Sequence, residues 1–254
     1  MSARHGRALL AGLAAALTLG AAARERPTLW MVGDSTMANK VDPAHNPEVG
    51  WGQVLPRFVD TSRLAIRNHA ANGRSTKRFI DEGKWDSTMA LVRRGDYVLV
   101  QFSHNDGHLR DTLRYVNAYT GFRRNLERMV ADVRARGATP ILATPVVRRY
   151  FNDHGVLTDA HGAYGFVLRE VAFEQRVPLV DMQQMTEDFV IATGPEASKR
   201  LYLWVAEGEF PAFPAAKQDN THFREAGAVA VARLAVAGLR AAVPALAGAL
   251  RDGG

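Results

Sequence analysis

The sequence predicts an α/β fold in which a parallel five-stranded sheet lies between two layers of helices, a three-layer α/β/α sandwich. Two observations favour it. Short apolar runs alternate with longer segments of helical periodicity, which is typical of sheets built from strand–helix–strand units. The strongest run, DYVLVQFS at 96–103, is nearly continuous in apolar residues, which indicates a strand buried on both faces.

The elements follow one another in chain order. The first strand, TLWMV at 28–32, ends at Gly33, whose backbone is free to turn sharply. Segment 120–136 is amphipathic with helical spacing and stops at Gly137. The other strands are predicted at 64–70, 96–103, 140–144 and 177–180, and the other helices at 75–94 (interrupted near Gly83), 163–176, 187–192 and 223–243. Segment 195–214 is rich in Pro and aromatic residues and is predicted as a long loop with short helices.

Right-handed crossovers between these strands suggest the flavodoxin-like order 2-1-3-4-5. Ligands of such sheets bind at the carboxyl ends of the strands, where the strand order reverses between strands one and three. Ser35 follows the first strand, Gly73 the second and Asn105 the third. We therefore expect these three residues to meet at one crevice.

The first 23 residues differ from the rest of the chain. A basic start is followed by an apolar stretch at 8–20 and by three alanines before Arg24, which is the pattern of a secretory signal peptide too short to span a membrane. An uncleaved anchor is the alternative, although charged residues follow at once. We predict a cleaved signal peptide at 1–23, one domain at 24–254, no stable membrane anchor, and a periplasmic or extracellular location.

Charge and cysteine content narrow the possible functions. Removal of residues 1–23 deletes two arginines and no acid, so the formal net charge falls from +6 to +4. This mild excess fits an anionic substrate but also an ordinary solvated surface, and it gives no reason to expect a nucleic-acid partner. The absence of cysteine excludes disulfides, cysteine nucleophiles and thiolate metal sites. No cofactor is predicted.

Ser35 is a candidate nucleophile because it stands at the mouth of the predicted sheet. His222 would take its proton, and Asp219, three residues earlier, would orient the imidazole and stabilise its charged form. The backbone N–H groups of Ser35 and Gly73 and the side-chain amide of Asn105 are candidate donors to an oxyanion. Taken alone, the residues around Ser35 and the pair Asp219 and His222 are equally compatible with helix caps.

Here the sequence resembles the SGNH (GDSL-type) hydrolases, and more narrowly the rhamnogalacturonan acetylesterases. The resemblance rests on five segments in order, GDSTMA at 33–38, GWGQ at 50–53, NHAANGRS at 68–75, QFSHND at 101–106 and KQDNTHF at 217–223. It implies metal-free hydrolysis of acetyl esters on pectic or related polysaccharide. It also implies the roles assigned above to Ser35, Gly73, Asn105, Asp219 and His222.

The sequence departs from the family at one position. Ser103 stands before His104 and Asn105, where the family usually has glycine, and its Cβ is expected to shift Asn105 slightly or to bring a hydroxyl to the site. The Ser, Asp, His order also occurs in α/β-hydrolases. Those enzymes need Gly-x-Ser-x-Gly in mid-chain, whereas Ser35 lies near the N-terminus and Met37 occupies the second position after it.

Other residues near the predicted crevice are weaker candidates. His104 and His108 have a metal-ligand spacing, but the turn-forming residues between them argue against a helix, so no metal is predicted. Trp51 is expected either to line the crevice or to lie in the core. Substrate contacts are also predicted for Arg74, Arg148 and Arg149, whose guanidinium groups suit uronate carboxylates, although a solvated loop face explains the last two slightly better.

Together these features predict a secreted serine esterase that removes O-acetyl groups from pectic rhamnogalacturonan. An acetylxylan or small-ester esterase or lipase of the same fold, and an O-acetyltransferase, remain as alternatives. A carbohydrate-binding protein without activity is disfavoured because the candidate catalytic residues are all present. The sequence does not specify the oligomeric state.

Overall fold

A computed structural model of the protein describes residues 26–42 and 45–251, so the predicted signal peptide at 1–23 lies outside the described residues. Five parallel strands form one sheet in the order β2-β1-β3-β4-β5, and the predicted order is thus confirmed. The strands are β1 (Thr28–Gly33), β2 (Ala65–Asn68), β3 (Tyr97–Gln101), β4 (Thr139–Ala143) and β5 (Leu179–Val180).

Both faces of this sheet are covered by helices. Alternate residues of β1 point to opposite faces, so Leu29 and Met31 join one apolar cluster whereas Trp30 and Val32 join the other. Helices α1, α6 and α7 contribute to the first cluster and α2 to α5 to the second. Their bounds are α1 (Trp51–Val54), α2 (Thr76–Asp81), α3 (Lys84–Met89), α4 (Arg123–Ala135), α5 (Ala163–Glu174), α6 (Met182–Thr193) and α7 (Glu225–Ala242).

The interruption predicted near Gly83 separates α2 from α3, and Gly83 has a φ of 70°, which glycine adopts without strain. A π-turn at Ala118–Phe122 leads into α4, and 3₁₀ turns lie at Leu55–Phe58, Ala197–Leu201 and Pro244–Ala249. Among the helices of the described residues, none combines the length and the apolar composition that crossing a membrane requires.

The C-terminal third contains a second sheet that the sequence analysis did not predict. Strand β6 (Tyr202–Val205) pairs antiparallel with β7 (Lys217–Phe223). The prediction of only loop and short helices at 195–214 was therefore wrong for β6. The predicted helix at 223–243 begins two residues later, because Phe223 closes β7 by pairing with Tyr202. The segment 219–222 is thus presented by a strand.

The segment around Gly50 packs against the turn that follows β1 and stabilises it. A Cβ on Gly50 would lie 2.0 Å from the carbonyl oxygen of Ala38, so only glycine permits this approach. The next residue, Trp51, donates its backbone N–H to Thr36 O at 2.9 Å and its indole N–H to Gln101 Oε1 at 3.0 Å. The GWGQ segment therefore supports the turn that contains Ser35.

Candidate active site

Ser35, His222 and Asp219 form a continuous hydrogen-bonded chain. Ser35 lies in the turn after β1, and its Oγ is 2.8 Å from His222 Nε2. On the other side of the imidazole, His222 Nδ1 is 2.8 Å from Asp219 Oδ2. A carboxylate accepts the Nδ1 proton, which leaves Nε2 as the acceptor for the Ser35 hydroxyl. The arrangement is that of a nucleophile, a base and a residue that orients the base.

Asp219 is held as a carboxylate by its neighbours on β7. Its Oδ1 accepts the backbone N–H groups of Thr221 and His222, at 2.8 and 3.0 Å. Lys217 Nζ approaches Oδ2 to 3.3 Å. Burial alone would raise the pKa of Asp219, but the hydrogen bonds and charge of His222 and the N–H of Thr221 outweigh it and lower that pKa. The charge that orients His222 therefore persists over the neutral range.

Asp34, the residue before the candidate nucleophile, fixes the turn from within. Its Oδ1 accepts the backbone N–H and the hydroxyl of Thr36, at 2.9 and 2.8 Å, and its Oδ2 is 3.0 Å from His104 Nδ1. Burial raises the pKa of Asp34, but the charge and hydrogen bond of His104 and the bonds from Thr36 prevail and lower it to about 2. The ends of β1 and β3 are tied together through this contact.

The candidate oxyanion donors lie on neighbouring turns. Gly73 has a φ of 72°, and within the described part of the chain no atom beyond its two sequence neighbours lies within 4 Å of the position that a Cβ would occupy. The amide of Asn105 donates from Nδ2 to Arg74 O at 3.1 Å and accepts at Oδ1 from Arg114 Nη1 at 3.2 Å. Because an amide nitrogen carries two protons, one N–H of Asn105 remains for a ligand.

Ser103, the departure from the family pattern, adopts a φ of 138°. Side chains rarely tolerate this backbone region. Its Oγ lies 3.2 Å from Nδ1 of the buried His161, whose Nε2 lies 2.9 Å from Val146 O. Since a carbonyl only accepts, Nε2 carries the proton and the Ser103 hydroxyl donates to Nδ1. The hydroxyl of Ser103 is thus turned toward His161, while Asn105 keeps its contacts.

The carboxyl group of Asp106 is fully buried beneath the site. Its Oδ1 accepts the backbone N–H and hydroxyl of Thr76, at 2.9 and 2.5 Å, whereas Oδ2 finds no hydrogen-bond partner among the described residues. Burial, with a smaller contribution from the Asp34 charge, raises the pKa of Asp106 to about 7 against the lowering effect of Thr76. Asp106 therefore holds its proton below neutral pH.

Two predicted substrate contacts are contradicted by burial. Trp51 is fully buried, and its indole N–H is bonded to Gln101 within the core, so it does not line the crevice. The Arg149 guanidinium is also buried, with Nε donating to Ser198 Oγ and Nη1 to Asn220 Oδ1, both at 2.9 Å, and Nη2 to Pro195 O. Arg149 therefore supports the 219–222 segment from behind and has no group turned to a ligand.

Arg148 and Arg74 lie closer to the site surface. Arg148 donates from Nη2 to His104 O at 2.9 Å and from Nη1 to Thr221 Oγ1 at 3.2 Å, which bridges β7 to the turn after β3. It also lines a cavity of about 400 Å³ at the turn after β3, together with His108 and Tyr164, and neither Ser35 nor His222 belongs to the lining of this cavity. Arg74 is paired with Glu82 at 2.9 Å and remains partly exposed.

His104 is one of the two histidines that the sequence analysis considered and rejected as metal ligands. Its Nδ1 is bonded to Asp34, and its ring packs edge-on against His161 at 4.7 Å. Across residues 26–42 and 45–251, no three His, Asp or Glu side chains are grouped as metal ligands would be.

Sequence analysis missed several residues that surround this chain of three. Lys40 and Glu48 form an ion pair of 2.7 Å next to Ser35, and Arg114 holds the Asn105 amide. Only Lys40 offered a signal, as a cation shortly after the nucleophile turn. Glu48 and Arg114 come from loops whose position depends on tertiary packing.

Comparisons with known proteins agree with this geometry. The model of the GDSL-like Lipase/Acylhydrolase family matches residues 31–230. The chain is similar to the rhamnogalacturonan acetylesterase RhgT of Bacillus subtilis, with 37% identity over 211 residues, 83% of this chain and 88% of that protein. It is also 30% identical to the probable rhamnogalacturonan acetylesterase YesY of the same organism, over 84% of this chain and 92% of that protein.

Among solved structures, the chain resembles protein YxiM of Bacillus subtilis, with a TM-score of 0.70 and 28% identity over 85% of this chain. The match spans only 56% of the YxiM chain.

Proposed function

Because this chain belongs to the GDSL-like lipase/acylhydrolase family of esterases, we propose that it is a secreted enzyme that removes O-acetyl groups from pectic rhamnogalacturonan. The observation that carries the proposal is the contact of 2.8 Å between Ser35 Oγ and His222 Nε2, with Asp219 bonded to the far side of the imidazole. Similarity to RhgT over most of both chains supports the choice of an acetylated pectic polymer as substrate.

The reaction follows from this geometry. Ser35 Oγ attacks the acetyl carbonyl carbon while its proton passes to His222 Nε2, and the carbonyl oxygen becomes an oxyanion. Collapse of the tetrahedral intermediate breaks the bond to the sugar oxygen, which leaves with the proton from His222. Water then attacks the acetyl-enzyme, gives its proton to His222, and releases acetate from Ser35.

The oxyanion is stabilised by the backbone N–H groups of Ser35 and Gly73 and by the remaining N–H of Asn105. These three residues follow three adjacent strands of the sheet, which supports the assignment. Because these donors are fixed in orientation, they stabilise the substrate oxygen only when negative charge develops on it.

Recognition of the sugar is assigned to the cavity at the turn after β3, which Arg148 connects to the 219–222 segment. Arg148 lies on its wall near Thr221, and a uronate carboxylate of a pectic chain complements its charge. Arg74 stands near the other end of the crevice, on the turn after Gly73. A neutral xylan lacks this charge-assisted contact.

Export is proposed on the pattern of residues 1–23. Signal peptidase cleavage after Ala23 would give a mature chain beginning at Arg24. N-terminal sequencing of exported protein tests this, and an intact Met1 on exported material would contradict it.

The enzyme itself is tested by acetate release from acetylated rhamnogalacturonan, acetylxylan and p-nitrophenyl acetate, with and without Ser35→Ala. We expect the pectic polymer to be the best substrate and Ser35→Ala to lower kcat by at least about 10³-fold, because removal of a triad residue ends covalent catalysis. A preference for acetylxylan would contradict the proposed pectic substrate. Acetate release only in the presence of an acceptor sugar would identify a transferase.

A further inference from the structure

A buried ion pair lies beside the candidate nucleophile. Lys40 Nζ is 2.7 Å from Glu48 Oε1, and the two side chains are only 4% and 16% exposed. Burial of a lysine is costly unless each of its protons finds an acceptor. The partners of Lys40 therefore indicate what holds this cation in place.

All three protons of the Lys40 ammonium are used. Besides Glu48, the ammonium donates to the carbonyl oxygen of Ser35 at 2.6 Å and to Asn72 Oδ1 at 2.7 Å. Ser35 and Gly73, which follows Asn72, are the two residues whose backbone N–H groups face the oxyanion in the proposed reaction. One side chain thus connects the turn after β1 to the turn after β2.

Glu48 also lies close to the candidate base His222. Its Oε1 lies 4.0 Å from His222 Nε2, the atom that takes the proton from Ser35. An uncompensated ammonium at Lys40 would oppose formation of the imidazolium, whereas a carboxylate favours it. The pair therefore supplies a rigid connection between the two turns without adding net charge next to His222.

From these contacts we propose that Lys40 is a positioning residue for ester hydrolysis. It fixes the Ser35 turn against the Asn72–Gly73 turn so that their N–H groups converge on the oxyanion, and Glu48 compensates its charge beside His222. The proposal rests on the nucleophilic role of Ser35 given above, but not on the identity of the polysaccharide.

The test compares Lys40→Met with a matched control on the surface. Lys77 forms a similar pair with Asp81 at 2.8 Å, but these side chains are 34% and 57% exposed, and Lys77→Met makes the same change of charge and shape. With p-nitrophenyl acetate, Lys40→Met should lower kcat by about 100-fold with KM within about two-fold, since a shift of about 1 Å in a positioned group costs this much. Lys77→Met should change neither constant by more than about two-fold.

A second readout follows the tetrahedral state directly. A p-nitrophenyl phosphonate that labels Ser35 leaves an oxygen where the oxyanion would form, so its labelling rate should fall in Lys40→Met by a factor similar to that for kcat. Glu48→Gln should lower kcat less, by about 10-fold, and the double variant should be no slower than Lys40→Met, because both changes act on one unit.

Asn72→Ala keeps the proposal testable if Lys40→Met does not fold. It removes one acceptor of the ammonium at an accessible turn and should lower kcat several-fold at unchanged KM. A folded Lys40→Met or Asn72→Ala protein with wild-type kcat and labelling rate would overturn the proposal. Full additivity of Lys40→Met and Glu48→Gln would do the same. Activity on p-nitrophenyl acetate without activity on acetylated pectin would count against the proposed substrate alone.

Discussion

Replacement of Ser103 by glycine and by alanine should reveal strain in the turn after β3. Ser103 holds a φ of 138°, a conformation that costs a residue with a Cβ about 1–3 kcal/mol. Both variants lose the hydrogen bond to His161, which is worth about 1 kcal/mol and leaves a buried Nδ1 without its donor. Only glycine also removes the strain.

The difference between the two variants isolates that strain. Glycine relieves about 2 kcal/mol of backbone strain at this position. Its greater freedom in the unfolded chain costs about 1 kcal/mol, so Ser103→Gly should be more stable than Ser103→Ala by about 1 kcal/mol. Urea unfolding at pH 7 gives both free energies if the slopes of the transitions agree. Ester hydrolysis should survive in Ser103→Gly, since Asn105 keeps its contacts.

An exposed serine inside a helix provides the control. At Ser87 in α3, alanine should be more stable than glycine by about 1 kcal/mol, the order normal for a helix interior. The order at Ser103 should be the reverse. If Ser103→Ala is as stable as Ser103→Gly, or more so, the turn is not strained and the argument from its φ fails.

Three further predictions concern charge. The raised pKa of Asp106, about 7, means that its protonated form stabilises the folded state, so this contribution is complete at acid pH and declines as the pH rises through 7. Relative to wild type, Asp106→Asn should therefore gain about 1.4 kcal/mol of unfolding free energy per pH unit between pH 5 and 7, and a constant difference in urea unfolding would contradict this. Arg149→Met should lower the free energy of unfolding by about 2–4 kcal/mol and should also lower kcat, because the support behind the 219–222 segment is lost. As a control, Arg124→Met on an exposed face should change the free energy of unfolding by no more than about 0.5 kcal/mol. If Arg148 contacts uronate, KM for acetylated pectic fragments should rise between about 0.05 and 0.5 M salt while KM for p-nitrophenyl acetate stays constant, and equal responses would remove Arg148 from substrate binding.

The main sheet was predictable because its strands are local apolar runs whose connections obey one handedness. Strand β3 in particular is buried on both faces, and its sequence shows this directly. Strand β7 was not predictable, since KQDNTHF has neither an apolar run nor alternation, and only its pairing with β6 makes it extended. Its polar side chains serve the site instead of the core.

The candidate catalytic residues were predictable from types and spacing, but their supports were not. Whether Arg149 faces a ligand or the interior depends on Pro195 and Asn220, which lie 46 and 71 residues away in the chain. Trp51 presents the same difficulty, because its partner Gln101 is 50 residues distant. A guanidinium or indole has enough hydrogen-bonding groups for either environment, so composition alone does not decide.

The candidate nucleophile Ser35 and the candidate base His222 are 187 residues apart in the chain, so they are also synthesised at different times. Strand β7 leads directly into α7, which completes one apolar face of the main sheet. A nascent chain that has reached only β5 therefore has the candidate nucleophile without its candidate base, and one face of its sheet is covered only by α1 and the 3₁₀ turn that follows it. Since both are completed by the same late segment, the proposed mechanism gives a chain that lacks β7 and α7 no ester hydrolysis.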